Sequence, residues 1–392
     1  MLSTKKNKAA GYTADNKIKL IHGGKEYFDT LLTLFDKAAF SIHLQTYIFE
    51  EDETGRLVAD ALIKAATKGI KVFVLVDGYA SQGLSKHFVQ QLKQSGIFFR
   101  WFEPVLRSRH FYFGRRLHHK VVVADGYYSL VGGINISNRY NDMPNENAWM
   151  DWALYSEGEV NKKLYQVCRA LWNKSGWGKK RNFPSVSTID TSTENECLVA
   201  IRRNDWVRGK NEITKSYVRT IREAQSNVII MSSYFLPGRL IKRSLALAAK
   251  RKVKVVVIAT GKSDVTLAKH AERHIYRWLL KNGIELYEYR SNILHSKLSV
   301  CDGEWITVGS YNVNNISAYA SVELNMDVLD SEFVKEAEKM LQAIIAADCE
   351  RITEADFIRH NNFIKRIWQQ ICYNLVRVIF YLFTFYFKQE RQ

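Results

Sequence analysis

A chain of 392 residues, 46% of them hydrophobic and with only 4 Pro and 21 Gly, can bury the cores of two ordinary domains, which excludes a disordered or fibrous protein. Lys and Arg number 57 against 40 Asp and Glu, a net charge of +17 that suits an anionic partner, nucleic acid and acidic lipid headgroups alike. The five cysteines, Cys168, Cys197, Cys301, Cys349 and Cys372, are an odd number without a CxxC pair, which argues against a disulfide framework or zinc module and for a reducing cytosol.

The amino terminus carries early lysines with no apolar stretch behind them, so neither a signal peptide nor an N-terminal membrane anchor is expected. Residues 41–49 then read as a strand, 57–66 as a helix and 72–76 as a fully apolar strand. The same order returns in the second half: strand 227–235, helix 240–249, strand 255–258. Each copy continues into a helix stopped by a glycine, Gly96 and Gly283, with a strand after it. Apolar strands alternating with helices predict sheets covered on both faces. The polar stretch 181–196 reads as a linker, although a long surface loop within one domain fits as well.

Each copy ends on the same polar constellation at identical spacing. The first is His118-x-Lys120, four residues, Asp125, six residues, Gly132-Gly133-x-Asn135. The second is His295-x-Lys297, four residues, Asp302, six residues, Gly309-Ser310-x-Asn312. Five fixed residue types at fixed offsets arise by chance on the order of once in ten thousand chains of this length, and two matched copies exclude coincidence. In a strand, i and i+2 share a face, so each histidine points with its lysine, while Leu117, His119, Val121 and Val123 take the other side. His119 is therefore expected in the core and not in the site. A neutral imidazole can attack phosphorus and a protonated one can give a proton to a leaving oxygen, so two histidines supply both roles. Lys120, Lys297, Asn135, Asn312 and the Ser310 hydroxyl would then surround the phosphoryl oxygens, where charge sits during in-line transfer. Asp125 and Asp302 each precede a glycine just past the strand, which suits a turn better than catalysis.

With this duplicated HxKx4Dx6G(S/G)xN signature the chain resembles the phospholipase D superfamily, and the likeness covers both halves. It implies an α/β protein of two pseudo-twofold-related phospholipase D-like α/β/α sandwich halves with the active site at their interface, plus a C-terminal amphipathic helix. The halves would span 1–180, with the motif at 118–135, and 197–350, with the motif at 295–312, leaving 351–392 as a membrane-associating tail. Gly132, Gly133 and Gly309 would then be structural motif residues beside Asp125 and Asp302. The family also places a carboxylate after each motif to hold a histidine's other ring nitrogen, and the matching positions are Asp151 and Glu323, with Asp327 as a rival to Glu323. No cofactor and no metal are expected. His270 and His274 stand i, i+4, but Lys269, Arg273 and Arg277 crowd them and make a solvated basic face the better reading.

Three features lean towards lipid within a superfamily that includes lipid hydrolases, phosphatidyl transferases and nucleases. The Gly132-Gly133 variant of the first motif is similar to that of bacterial cardiolipin synthases, and the layout resembles their B type. The stretch between Gly96 and His118 is longer than its counterpart between Gly283 and His295. It carries Arg100, Trp101, Phe102, Arg107, Arg109, Phe111, Tyr112, Phe113, Arg115 and Arg116, a mixture that suits acyl chains and phosphates as well as single-stranded nucleic acid. Finally, Phe363-Ile364, Ile367-Trp368, Ile371-Cys372, Leu375-Val376 and Ile379-Phe380 recur every four residues, an amphipathic helix. It either docks on its own protein or lies in a membrane interface, and the flanking Lys365, Arg366, Arg377 and Lys388 favour the interface. The resemblance thus implies a phosphatidyltransferase making cardiolipin from phosphatidylglycerol through a phosphatidyl-histidine, with His118 as nucleophile and His295 as acid, although the symmetry of the motifs permits the reverse. The expected partners are anionic phospholipids and, through the tail, the cytoplasmic face of a bacterial inner membrane; nucleic acid is not expected. A phospholipase D hydrolase and a nuclease are the alternatives.

Overall fold

The computed structural model describes residues 11–104, 115–174, 197–314 and 321–385. The linker expected at 181–196 and the residues Arg107, Arg109, Phe111, Tyr112 and Phe113 lie outside them. The chain divides into two compact units. One is Met1–Arg202 with Val308–Ser310 and Glu323–Leu329, the other Arg203–Thr307, Tyr311–Val322 and Asp330–Gln392.

The first copy of the repeat lies in a seven-stranded sheet. Its spatial order is Asn16–His22, Trp152–Gly158, Tyr128–Gly132, Lys120–Ala124, Ser41–Thr46, Lys71–Asp77, Phe98–Phe102. The last three strands run parallel to one another, joined by the helices Glu53–Thr67 and Lys86–Gln94. The strand Lys120–Ala124, which carries the motif lysine, pairs antiparallel with both of its neighbours. The second copy repeats the arrangement in a ten-stranded sheet. There Asn227–Ser232, Lys254–Lys262 and Glu285–Ile293 are parallel, connected by the helices Arg239–Lys250 and Thr266–Lys281, and Lys297–Cys301 lies antiparallel to Asn227–Ser232. The duplication read from sequence is thus a duplication of topology.

These elements form where apolar patterning and caps direct them. Val72, Val74, Val76 and Leu75 are almost wholly buried, as a strand covered on both faces must be. The Asp52 side chain accepts from Gly55 N and that of Ser85 from Phe88 N, so two helices of the first copy start on a capped N-terminus. Gly96 and Gly283 adopt φ 88° and 70°, the left-handed geometry that ends a helix at little steric cost. The sheet also runs past the expected end of the second half at residue 350, because Cys349–Ile352 pairs antiparallel with Glu285–Ile293.

Candidate active site

The two-residue strand Arg116–Leu117 pairs with the strand Ser321–Leu329, and this pairing sets His118 against Glu323, 205 residues away in sequence. His118 Nδ1 lies 3.0 Å from the Glu323 carboxylate. The Ser310 hydroxyl also donates to Glu323, at 2.5 Å, and both Glu323 and Ser310 are fully buried. A carboxylate only accepts, so Nδ1 carries the hydrogen and the ring keeps its lone pair on Nε2. The carboxylate that follows the second motif therefore orients the histidine of the first. Its rival Asp327 is engaged elsewhere, accepting from Arg202 Nε at 3.0 Å.

Lys120 and Lys297 are both buried, and each ammonium donates back to the carbonyl of its own motif histidine. Lys297 Nζ also lies 2.9 Å from His295 Nδ1. An ammonium has only donors, so here Nδ1 accepts and the neutral ring carries its hydrogen on Nε2. The two rings are thus held in opposite tautomers by their neighbours. Asn135 Oδ1 accepts from Ile48 N at 3.1 Å, and Asn312 Oδ1 from Ser233 Oγ at 2.8 Å, which makes the amide nitrogen the donor end of each. Asp151 is buried, with Oδ1 accepting from Trp152 N at 2.8 Å.

The remaining motif residues shape the backbone. Asp125 and Asp302 adopt φ 55° and 54°, and each carboxylate gathers three consecutive N–H groups at the start of the neighbouring strand. Those of Ala39, Phe40 and Ser41 bind Asp125, and those of Gln225, Ser226 and Asn227 bind Asp302. Burial raises the Asp302 pKa, but the bonds from Ser226, Asn227 and Gln225 outweigh it and hold the group below the usual carboxylate value. Gly132 and Gly309 end the strands Tyr128–Gly132 and Trp305–Gly309. A Cβ on Gly133 would stand 2.3 Å from the Asp151 carboxylate. The two copies therefore pair their residues differently: a bare glycine makes room for the shorter Asp151, while Ser310 reaches the longer Glu323.

Three expectations are corrected. Ser310 was to bind a phosphoryl oxygen, but its single hydroxyl hydrogen goes to Glu323. His270 and His274 do not form a solvated face, because their rings meet Trp368 and Tyr373 of the C-terminal helix at 6.3 and 4.6 Å. That helix does not use its apolar pairs as one surface: Cys372 and Val376 are buried, whereas Ile371 and Leu375 beside them are exposed. His119 is buried, with Nε2 2.9 Å from Gln45 Oε1.

Sequence reasoning missed Tyr47 and Asp77. The Tyr47 ring lies 4.9 Å from that of His118 and 5.2 Å from the Lys120 ammonium. Burial first, then the charge of Asp77, pushes its hydroxyl up to about 12, so it stays a neutral donor. Asp77 is fully buried and accepts from Leu117 N at 2.8 Å, fixing the chain one residue before His118. Comparison of the copies could not reveal either, because the matching positions hold Ser233 and Thr260.

The chain matches the family model described as cardiolipin synthase, PLD-like domain, over residues 31–172 and 217–345. It is 32% identical to cardiolipin synthase B of Salmonella typhimurium over 88% of this chain and 84% of that protein. The same enzyme of Escherichia coli K12 is 31% identical over 86% and 83%. Among solved structures, phosphatidylserine synthase of Haemophilus influenzae superposes with a TM-score of 0.69 over 97% of this chain and 99% of its own, at 14% identity, a likeness of fold.

Proposed function

Because this chain belongs to the cardiolipin synthase family of phospholipase D-like proteins, we propose that it transfers the phosphatidyl group of phosphatidylglycerol to the hydroxyl of a second phospholipid, making cardiolipin and releasing glycerol. The observation that carries this reading is the His118–Glu323 pair, set beside Lys120 in one of two matched motifs. His118 Nε2 attacks phosphorus, an N–P bond forms and the P–O bond to glycerol breaks, with His295, as an imidazolium, giving a proton to the leaving oxygen and becoming neutral. The acceptor hydroxyl then passes its proton to His295 and attacks the same phosphorus, and the N–P bond breaks. The Glu323 carboxylate on Nδ1, which leaves the lone pair on Nε2 and offsets the charge of the phosphorylated ring, favours His118 as the nucleophile. Lys120 and Lys297 supply the positive charge that a metal ion supplies elsewhere.

The cytoplasmic face of the bacterial inner membrane is the place proposed for it. Its substrates lie in that bilayer, and an odd number of cysteines without a CxxC pair suits a reducing compartment.

The test is to incubate the purified protein with vesicles of labelled phosphatidylglycerol, with and without phosphatidylethanolamine, and to identify every lipid product by mass. Cardiolipin is the expected product, and a rise on adding phosphatidylethanolamine would name a second acceptor. Phosphatidic acid as sole product would make the protein a hydrolase. Cleavage of DNA or RNA with no lipid product would overturn the lipid reading altogether.

A further inference from the structure

The C-terminal helix Phe363–Phe385 offers two apolar faces side by side, and they meet different surroundings. Gln369, Cys372 and Val376 are buried against the helix Thr266–Lys281, where the His270–Trp368 and His274–Tyr373 ring contacts continue the seam. A reciprocal amide pair locks the corner before it: Asn361 Nδ2 donates to Gln369 Oε1 at 3.1 Å, and Gln369 Nε2 to Asn361 Oδ1 at 2.9 Å. Turned away from this seam, Ile364, Ile367, Ile371, Leu375 and Val378 are between 45% and 75% exposed, and Trp368, at 52%, borders both faces. Their spacing of three and four residues places them in one stripe along the helix. Six large apolar side chains in line on an already folded helix are more than scattered surface hydrophobicity explains.

Charge identifies what covers the stripe. Between Asp356 and Glu390 there is no acidic residue, while Arg359, Lys365, Arg366, Arg377 and Lys388 are all cationic. A second copy docking by symmetry would set these like charges against each other; an anionic bilayer neutralises them. Among the described residues, no helix is long and apolar enough to cross a membrane, so the stripe suits a helix lying in the interface.

We propose that the stripe Ile364, Ile367, Trp368, Ile371, Leu375 and Val378 is a membrane-contact surface that lies in the plane of an anionic bilayer while Cys372 and Val376 keep the helix docked on its own unit. The choice of phosphatidylglycerol as the anionic lipid rests on the proposed reaction; the cationic flanks and the docked and exposed faces stand independently of it. The full chain is mixed with vesicles of phosphatidylcholine alone or with phosphatidylglycerol and separated by flotation, beside the variant Ile367→Ser, Ile371→Ser, Leu375→Ser. The wild type is expected to float with the phosphatidylglycerol vesicles, and the triple variant to partition at least about tenfold more weakly. Because these three side chains are exposed, its thermal unfolding and its turnover of short-chain, monomeric phosphatidylglycerol stay at wild-type values. Wild-type flotation of the triple variant overturns the proposal, as does equal binding to phosphatidylcholine alone. A wild-type dimer that ignores vesicles and dissociates in the variant makes the stripe a self-association surface instead. His118→Ala separates the two readings: it floats like wild type if the surface is right, whatever becomes of the reaction.

Discussion

An imidazole can attack phosphorus only through a nitrogen that keeps its lone pair, and at His118 the Glu323 carboxylate, 3.0 Å from Nδ1, makes that nitrogen Nε2. Glu323→Gln tests this with little change in shape. A glutamine can offer its NH2 to Nδ1 as readily as its oxygen, which lets the ring take the other tautomer and removes the charge that stabilises an imidazolium. Cardiolipin formation should fall by roughly 10²-fold or more, with kcat reduced far more than KM is raised, because orientation and not binding is lost. Unfolding midpoints should move little; a variant that keeps wild-type kcat would remove Glu323 from the mechanism. This pair also marks the limit of what the sequence discloses at this scale. His118, Lys120 and Asn135 could be read because offsets along a strand and its turn are local. The choice of Glu323 over Asp327, and the crossing of a second-motif carboxylate to the first-motif histidine, depend on a strand pairing between residues about 200 apart, which no local pattern encodes.

At the scale of elements, the helix Thr266–Lys281 is the platform for the C-terminal helix, and a buried acid cluster ties it to the sheet. Glu288 accepts from Lys269 at 2.7 Å and Tyr276 at 2.8 Å and pairs with Arg290 at 2.8 Å, and Arg290 reaches on to Glu350 at 2.6 Å in the last strand. Burial raises the Glu288 pKa, but Lys269 and the other partners outweigh it and hold the group below its usual value. Glu272, fully buried nearby, is different: burial dominates and Lys269 only partly offsets it, so its pKa rises from 4.5 to about 7. The folded state thus holds this proton more tightly than the unfolded chain. The stability it contributes is complete below pH 4.5 and is lost as pH rises towards 7, a loss on the order of 3 kcal/mol. Glu272→Gln should therefore match wild type in thermal unfolding near pH 4.5 and exceed it by several degrees at pH 8. An equal or lower midpoint at pH 8 would show that the carboxylate is stabilising as an anion. Periodicity made the C-terminal helix legible as amphipathic, but apolar pairs repeating every fourth residue cannot say that one member faces the protein and the other looks outward. That distinction needed the position of the helix Thr266–Lys281.

For the whole molecule, the duplication poses a question that topology alone leaves open: two sites with one histidine each, or two histidines serving one reaction. The chain is an enzyme of the phospholipase D superfamily, and each copy repeats the other's strands, its motif lysine and its aspartate turn. Their histidines meet different neighbours at Nδ1, a carboxylate at His118 and an ammonium at His295. Two independent sites would each need a complete set of nucleophile and acid, whereas a shared reaction would divide those roles between the two rings. Kinetics separates the cases without reference to geometry. Independent copies predict that His118→Ala and His295→Ala each keep about half the wild-type rate, and that only the double variant is dead. Shared chemistry predicts that either single variant loses on the order of 10⁴-fold or more, and that the double variant is scarcely worse, because residues acting as one unit are not additive. A radiolabelled phosphatidyl donor distinguishes the roles further: the acid-labile label of an N–P bond should stay off denatured His118→Ala, while His295→Ala can still acquire it slowly from a donor with a good leaving group. Label on His118→Ala but not on His295→Ala would exchange the two assignments.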